Sequence, residues 1–472
     1  MGEEWIDCKL GELGEFRNGV NFNSSQEGVG LPVIKVKDFG DLTIAPDSGF
    51  DELNPQAIRI PADQMVEVGD TLIIRSNGNP ALVGRSMLYR GGTKPTTFSG
   101  FCIRFRPDRS KIVPAFAAYF IRSPLCRQHF TAYGSGTGIQ NLSQGVLTNL
   151  DISLPPLPEQ RAIARVLGGL DDKIELNRRM NRTLEDLARG VFRSWFVDFD
   201  PVLRPAPAHT AARTSTRTHP PHPRFPTRLV DSPLGPIPEG WRVCALREAF
   251  EVNPTRRIPA GQTAPYLDMQ NMPTASAVPD EWIARACGSG MKFQNGDTLM
   301  ARITPCLENG KTAYVNFLDD GQVGWGSTEY IVLRSKPPLP PEYSYFLARD
   351  EDFRSFAIAN MTGSSGRQRV PATAFDKYLV VVPDAAVAAA FGAFARDVLE
   401  RVRMNSEESR KLAATRDALL PVLLSGEVRL RNEREAERAV GDALQTTSPS
   451  PRVGGNGSPR AGMAAGTSKG RA

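Results

Sequence analysis

The side chains able to do chemistry are few and poorly placed for it. Of four histidines only His129 lies in a stretch able to fold, because His209, His219 and His222 fall in a proline-rich segment. A lone histidine in one half of the chain offers no Ser-His-Asp or Cys-His arrangement, and it is read as a helix-surface or core residue. The six cysteines are scattered without a CxxC pair, so neither a zinc site nor a disulfide framework is indicated. No HExxH and no GxxxxGK[ST] occurs. Gly134-Ser135-Gly136-Thr137-Gly138 lacks the GxGxxG spacing and the downstream acid of a dinucleotide loop, and is read as a solvent loop. Asp70 and Asp297 each follow a glycine ahead of a strand, where a hydrogen bond to the backbone accounts for them. Neither a [DNS]PP[YF] pattern nor an acid-acid-lysine triplet is found. No catalytic residue and no metal ligand is assigned. The chain reads as a binder.

The elements that would position a binding surface are more legible. From Leu154 the sequence runs LPPLPEQRAIARVLGGLDDKIELNRRMNRTLEDLARGVFRSWFVDFD. Its prolines suit a helix entrance. Ile163, Leu167, Leu170, Ile174, Leu184, Val191 and Trp195 then recur in steps of three and four, with Asn177 and Asn181 in the same stripe. That period puts them on one helix face, and a buried Asn in such a seam fixes register at a cost in stability. A helix from Glu159 to Phe196 would be about 57 Å long at roughly 1.5 Å per residue. It needs a second helix to lie against.

The chain supplies that helix by repeating itself. At an offset of 228, Gly138 meets Gly366, Gln140 meets Gln368, Pro155 meets Pro383, Asn177 meets Asn405 and Leu184 meets Leu412. The stripe maps onto Phe391, Ala395, Val398, Val402, Asn405, Leu412, Leu419 and Leu423. Trp5, Cys8, Leu10 and Glu12 meet Trp241, Cys244, Leu246 and Glu248 at 236, and Gly69-Asp70-Thr71-Leu72 meets Gly296-Asp297-Thr298-Leu299 at 227. Drift of this kind is what loop insertions produce in a duplicated chain.

The expected fold class is α+β: two pseudo-symmetric α/β modules separated by two long antiparallel, coiled-coil-like helices. The boundaries are 1–158 for the first module, 159–200 for the central helix and 201–231 for a Pro/Arg-rich linker. Then come 232–383 for the second module, 384–430 for the C-terminal helix and 431–472 for a disordered tail. Val113–Gln128 and Pro341–Asp352 are read as one helix in each module, and Pro421 as a kink. Residues 201–230 carry five arginines and no acid, and residues 443–472 carry four cations and no acid. Setting those nine against a net charge of +5 leaves −4 for the rest, so any nucleic-acid contact must come from local patches. The most apolar run, Ala385 to Ala395, is too short for a bilayer, and Met1-Gly2-Glu3-Glu4 leads into polar sequence. No membrane association and a cytoplasmic location are expected.

The central motif, followed by VDSPLGPIPEGWRV from Val230, resembles specificity subunits of type I restriction-modification systems. So does the order module, helix, module, helix, over approximately residues 1–430. The second helix departs from the pattern, opening with Pro383-Asp384-Ala385-Ala386-Val387 where a second PLPEQ is expected. The resemblance implies that each module is a target-recognition domain reading half of a split site in double-stranded DNA. It implies that the helices set the spacer and dock two methyltransferase subunits, with restriction/motor subunits joining for cleavage. S-adenosylmethionine, ATP and magnesium would then belong to those partners, and this chain would hold no cofactor.

Candidate DNA contacts follow from residue type. Arg75, Ser76, Asn77 and Asn79 follow a strand and surround Gly78, and Gln140 and Asn141 follow the glycine loop. Their counterparts are Arg302, Thr304, Arg367, Gln368 and Arg369, with Lys311 as a phosphate candidate. Guanidinium and amide groups suit phosphates and purine edges. Helix pairing is assigned to Ile163, Leu167, Leu170, Ile174, Asn177, Asn181, Leu184 and Val191, against Val398, Val402, Asn405, Leu412 and Leu419. Two rival readings stand beside this one: a DNA-modifying enzyme with a cryptic motif, and a two-domain scaffold for protein partners.

Overall fold

The computed structural model describes residues 4–40, 43–133, 141–204, 224–430 and 432–447. In the first half a four-stranded antiparallel sheet runs, in spatial order, Gly14–Asn18, Cys102–Pro107, Thr71–Ile74 and Ser86–Leu88. The strand Thr71–Ile74 is buried throughout, and its alternating side chains serve two cores. Leu72 and Ile74 pack with Ile34 and Phe98 of a second, three-stranded sheet. Ile73, with Ile103 and Phe105, packs under α1 (Pro114–Arg122), against Phe116 and Phe120.

The single helix expected over Val113–Gln128 is two: α1 ends at Arg122, and α2 runs Pro124–Tyr133. Pro124 lacks an N–H and holds Ser123 extended, at φ −61° and ψ 155°, so the first helix cannot pass through it. A short α3 (Gln144–Thr148), capped by Ser143, leads to strand Asp151–Leu154, which pairs with Ile6–Lys9. Then comes α4 (Leu157–Phe196), followed by the short α5 (Asp200–Leu203).

The second half repeats the plan. After α6 (Leu246–Ala249), Phe250–Val252, Tyr330–Ser335, Thr298–Ala301 and Thr312–Tyr314 form the matching four-stranded sheet. Where one helix was expected over Pro341–Asp352, α7 (Tyr343–Arg349) and α8 (Glu351–Ala359) meet at Asp350. The Asp350 carboxylate accepts from the backbone N–H of Asp352 and Phe353, so a new helix starts there. Arg242–Ala245 pairs with Leu379–Val382 as its counterpart pairs in the first half. The chain then enters α9 (Ala385–Leu424), which runs through Pro421 to Leu424.

Each long helix has 40 residues, about 60 Å at ~1.5 Å per residue. They lie antiparallel. Leu170 and Ile174 of α4 meet Leu412, Asn181 meets Val402 and Asn405, and the Phe192 ring lies 5.7 Å from Phe391. The start of α4 is embedded in the first module beside Leu420 and Leu423, and its end in the second module beside Phe391 and Ala395.

Beyond Asn181 the buried face drifts from the expected stripe. Glu185, Ala188, Phe192 and Phe196 are buried, while Leu184, Val191 and Trp195 are only partly covered. On α9, likewise, Leu420 is buried and Leu419 partly so. A straight helix of 3.6 residues per turn slips about 20° per heptad against a 3.5 repeat, and two heptads move the seam by nearly half a residue's angular spacing. Burial by the second module widens the face further.

The expectation of a disordered tail from residue 431 is corrected for α10 (Glu433–Thr447). Asn432 accepts from the Glu435 N–H at 3.1 Å and starts the helix. Ala436, Ala439, Val440 and Ala443 recur at helical spacing and pack against the helix pair and the first module, with Val440 over Gly169. Averaging this segment with the Pro/Gly/Ser-rich sequence after it hid the pattern.

Candidate nucleic-acid interface

The two candidate loops of each module are brought together by one backbone bridge. In the first module Ser76 bridges Asn141, and Leu142 N donates to Arg75 O at 2.9 Å. In the second, Ile303 bridges Arg369, Thr304 N donates to Gln368 O at 3.0 Å, and Val370 N donates to Arg302 O at 2.9 Å. The bridged pairs are related by offsets of 227 and 228, so duplication extends to the tips. A third segment joins each tip: Arg75 N and Ser76 N donate to Phe101 O, and Arg302 N donates to Glu329 O. Phe101 and Glu329 are also 228 apart.

Side chains at the tips differ sharply. Phe101 is 60% exposed and lines a shallow depression with Ser76, Asn77, Phe22 and Lys35. Lys35 sits 5.1 Å from the Phe22 ring and pairs with Glu27 at 2.7 Å and Asp51 at 2.8 Å. Asn141 is exposed. Asn77 and Asn79 are committed locally: Asn77 Oδ1 accepts from Asn79 N at 2.8 Å, and Asn79 Oδ1 caps a short turn through Ala81 N at 3.0 Å. Gln140 lies outside the described residues. Phe22, Lys35 and Phe101 were not found by the sequence reading. Nothing in the sequence distinguishes Phe101 from the core aromatics of the strand it precedes.

In the second module the Arg369 guanidinium grips Glu329 through Nε at 2.9 Å and Nη2 at 2.8 Å, and the paired carboxylate raises its pKa. Arg367 is exposed. Lys311 Nζ donates to Met269 O at 2.6 Å, which fixes the side chain while leaving it half-buried at a groove edge. Arg302 and Thr304 are half-buried below the tip. The first tip thus offers an aromatic ring and amides, the second a guanidinium–carboxylate pair and one free-standing arginine.

Buried ion pairs hold both tips on rigid sheets. Asp70 Oδ2 accepts from Glu67 N at 2.7 Å and Asp297 Oδ2 from Gln294 N at 2.8 Å, the backbone bonds expected of them. Each also anchors an arginine of the neighbouring strand, Arg106 at 2.8 Å and Arg334 at 2.6 Å. Glu159 and Gln160 of the central motif are structural as well. Glu159 accepts from Trp5 Nε1 and from Arg429, whereas Gln160 receives Val113 N at 2.7 Å. Among the described residues no cluster of His, Cys, Asp or Glu has metal-ligand geometry. None of their helices is long and apolar enough to cross a membrane.

The two halves share one layout, and known proteins resemble the chain. Residues 2–186 match the type I restriction modification DNA specificity domain. The specificity subunit of the Haemophilus influenzae type I restriction enzyme HindI is 24% identical over 384 residues, covering 68% of this chain and 79% of the relative. The MjaIX specificity subunit of Methanocaldococcus jannaschii is 20% identical over 441 residues, covering 91% and 94%. The Escherichia coli EcoEI specificity subunit is 31% identical over 153 residues, a span of 26% of its length. A solved S subunit from M. genitalium has a TM-score of 0.47 at 14% identity, over 89% of this chain and 96% of that one. The first module and most of α4 thus resemble the type I specificity domain. Over most of its length the chain is similar to type I restriction enzyme specificity subunits.

Proposed function

We propose that this chain recognises a split target in duplex DNA for a type I restriction-modification complex, one half-site per module. The observation that carries this reading is the repeated three-segment tip, built at offsets of 227 and 228 and presented by two modules on an antiparallel helix pair. Unlike side chains on like backbones make an asymmetric, two-part reader. The chain contributes recognition and no chemistry. Two methyltransferase subunits would dock on the helix pair and restriction/motor subunits would join them. Those partners would hold S-adenosylmethionine, ATP and magnesium.

Methylation mapping of DNA from cells with and without the chain tests the reading. The expected result is a two-part motif with a fixed unread spacer that vanishes when the chain is removed. Four residues inserted in each long helix should lengthen the pair by about 6 Å, close to two base pairs at roughly 3.4 Å each. An unchanged map on removal would rule the reading out, and an unchanged spacer would rule out the helices as its ruler.

A further inference from the structure

The pseudo-two-fold axis passes between Asn177 and Asn405, and the helix pair presents two unlike sides along it. On one side is a groove whose floor holds Arg178, Asn181 and Arg182 of α4 and Ser406, Ser409 and Arg410 of α9. Each residue of the first trio is 228 positions from one of the second, so Arg182 and Arg410 are symmetry mates. On the other side of α4, more than 100° around the helix at ~100° per residue, stand Leu176 and Met180, 51% and 38% exposed.

The groove lies between the two modules and is lined from both. Arg122 at the end of α1 lines it from the first module, and Lys311 lines it from the second. An adjoining depression carries the same surface from Arg122 to Arg85 and Arg127. Arg127 Nη2 donates to Ala81 O at 2.6 Å, beside the Asn79 turn. At the far end Lys311 N donates to Cys306 O at 3.0 Å, next to Thr304. Two acids, Asp280 and Asp417, also line the groove, so arginine and lysine predominate. The folded body is net acidic, which makes a cationic groove between the modules a placed feature rather than a by-product of composition.

We propose that this groove binds the sugar-phosphate backbone of the unread spacer, independently of its sequence. The proposal rests on the DNA-reading assignment above and adds a third contact region to the two tips. A duplex gripped by modules related by a two-fold has its own local dyad on that axis. There the two strands present symmetry-related phosphates, and Arg182 and Arg410 are the symmetry-related cations to meet them. Arg178 makes no hydrogen bond or ion pair to a described residue, and Arg182 touches Glu175 at 3.3 Å with its side chain 55% exposed, so both guanidiniums are available. Arg410 is held over the Trp282 ring at 4.3 Å, aligned rather than mobile.

The experiment measures binding of the full chain to a pool of random-sequence 40-base-pair duplexes across a salt series. Each phosphate contact contributes about 0.9 to the slope of log K against log salt. Arg178→Gln with Arg182→Gln should flatten the slope by about two, whereas Arg178→Lys with Arg182→Lys should keep it. Sequence preference, read by sequencing the retained fraction, should be the same in all three proteins. A wild-type slope that survives the glutamine pair overturns the groove proposal and leaves the DNA-reading assignment standing. Lysine variants as impaired as the glutamine ones overturn it too, since charge would then not be the cause. Single-stranded RNA of equal length competing as well as the duplex would overturn the duplex as its ligand. If the wild-type chain shows no salt-dependent duplex binding, the DNA-reading assignment itself fails.

Discussion

Asn177 and Asn405 occupy equivalent places in the two halves of the chain, and the amide of the first donates to the backbone carbonyl of the second at 3.3 Å. Asn177 also donates to Glu408 at 2.8 Å, and Asn405 donates to Asn181 at 2.8 Å. Polar groups at the middle of an otherwise apolar seam penalise any other register, because a slip would strand them without partners. Asn177→Ala should cost about 1–3 kcal/mol by leaving the Glu408 carboxylate short of a donor in a buried place. Urea unfolding at fixed ionic strength measures it, and a neutral result would remove the network from the account of register.

A stronger dependence is expected at the first-module end of the pair. Asp171 is fully buried and accepts from Arg416 at 2.5 Å and from Tyr119 at 2.7 Å. Asp171→Ala leaves the Arg416 guanidinium to the exposed Asp417 carboxylate, at 2.7 Å, and strands the Tyr119 hydroxyl, and it should cost about 3 kcal/mol. The double variant Asp171→Leu with Arg416→Met removes both charges and should recover most of that loss. Thermal unfolding of the three proteins decides it.

The two arginines of the second tip should behave differently in DNA binding. Arg367→Ala should flatten the salt slope by about 0.9, the loss of one phosphate contact. Arg369→Ala should change it by less, because Glu329 already neutralises that guanidinium. Glu329→Gln should raise non-specific affinity by freeing Arg369. Equal effects of both alanine variants would show that the Glu329 pair opens on binding.

A pH test follows from Glu185, buried where α4 meets the second module. Burial pushes its carboxyl above the ordinary value, and hydrogen bonds from Tyr345 at 2.6 Å and Ala277 N at 2.9 Å pull it back only in part. The folded state therefore keeps this proton to higher pH than the unfolded chain does. Stability contributed at this site is present at low pH and declines as pH rises from the unfolded carboxyl value, about 4.3, through the raised folded one. Glu185→Gln should remove that decline. Urea midpoints for both proteins from pH 4 to 7 should converge, or cross in favour of the variant, as pH rises.

The repeat and the two rods were legible because they depend on spacing, which sequence displays directly. Asn177 and Asn405 stand in register in the sequence itself, 228 positions apart. What escaped was set by tertiary context. Glu185 reads as a surface acid on a polar helix face until Tyr345, 160 residues away, supplies its hydrogen bond. Phe101 reads as a core aromatic in a strand, yet it is exposed at a tip. Glu329 gave no signal at all, since its role exists only beside Arg369. The breaks at Pro124 and Asp350 were written locally, in a proline and a capping acid, and were passed over in favour of helical spacing.

One contact at the base of the first module has a topological consequence. The Trp5 ring lies against Gly426 and under the Arg429 guanidinium, at 5.4 Å, so the start of the first module abuts the exit of α9. Module, rod, module and rod thus form a closed loop in space, although the backbone is open. A chain joined by a short bridge between Leu430 and Trp5 and reopened within 205–223 would trace the same loop from a different starting point. Such a permuted protein keeps both rods and both tips but loses α10 and its Ala436 and Val440 packing, so it should bind as the parent does and unfold at a lower urea midpoint.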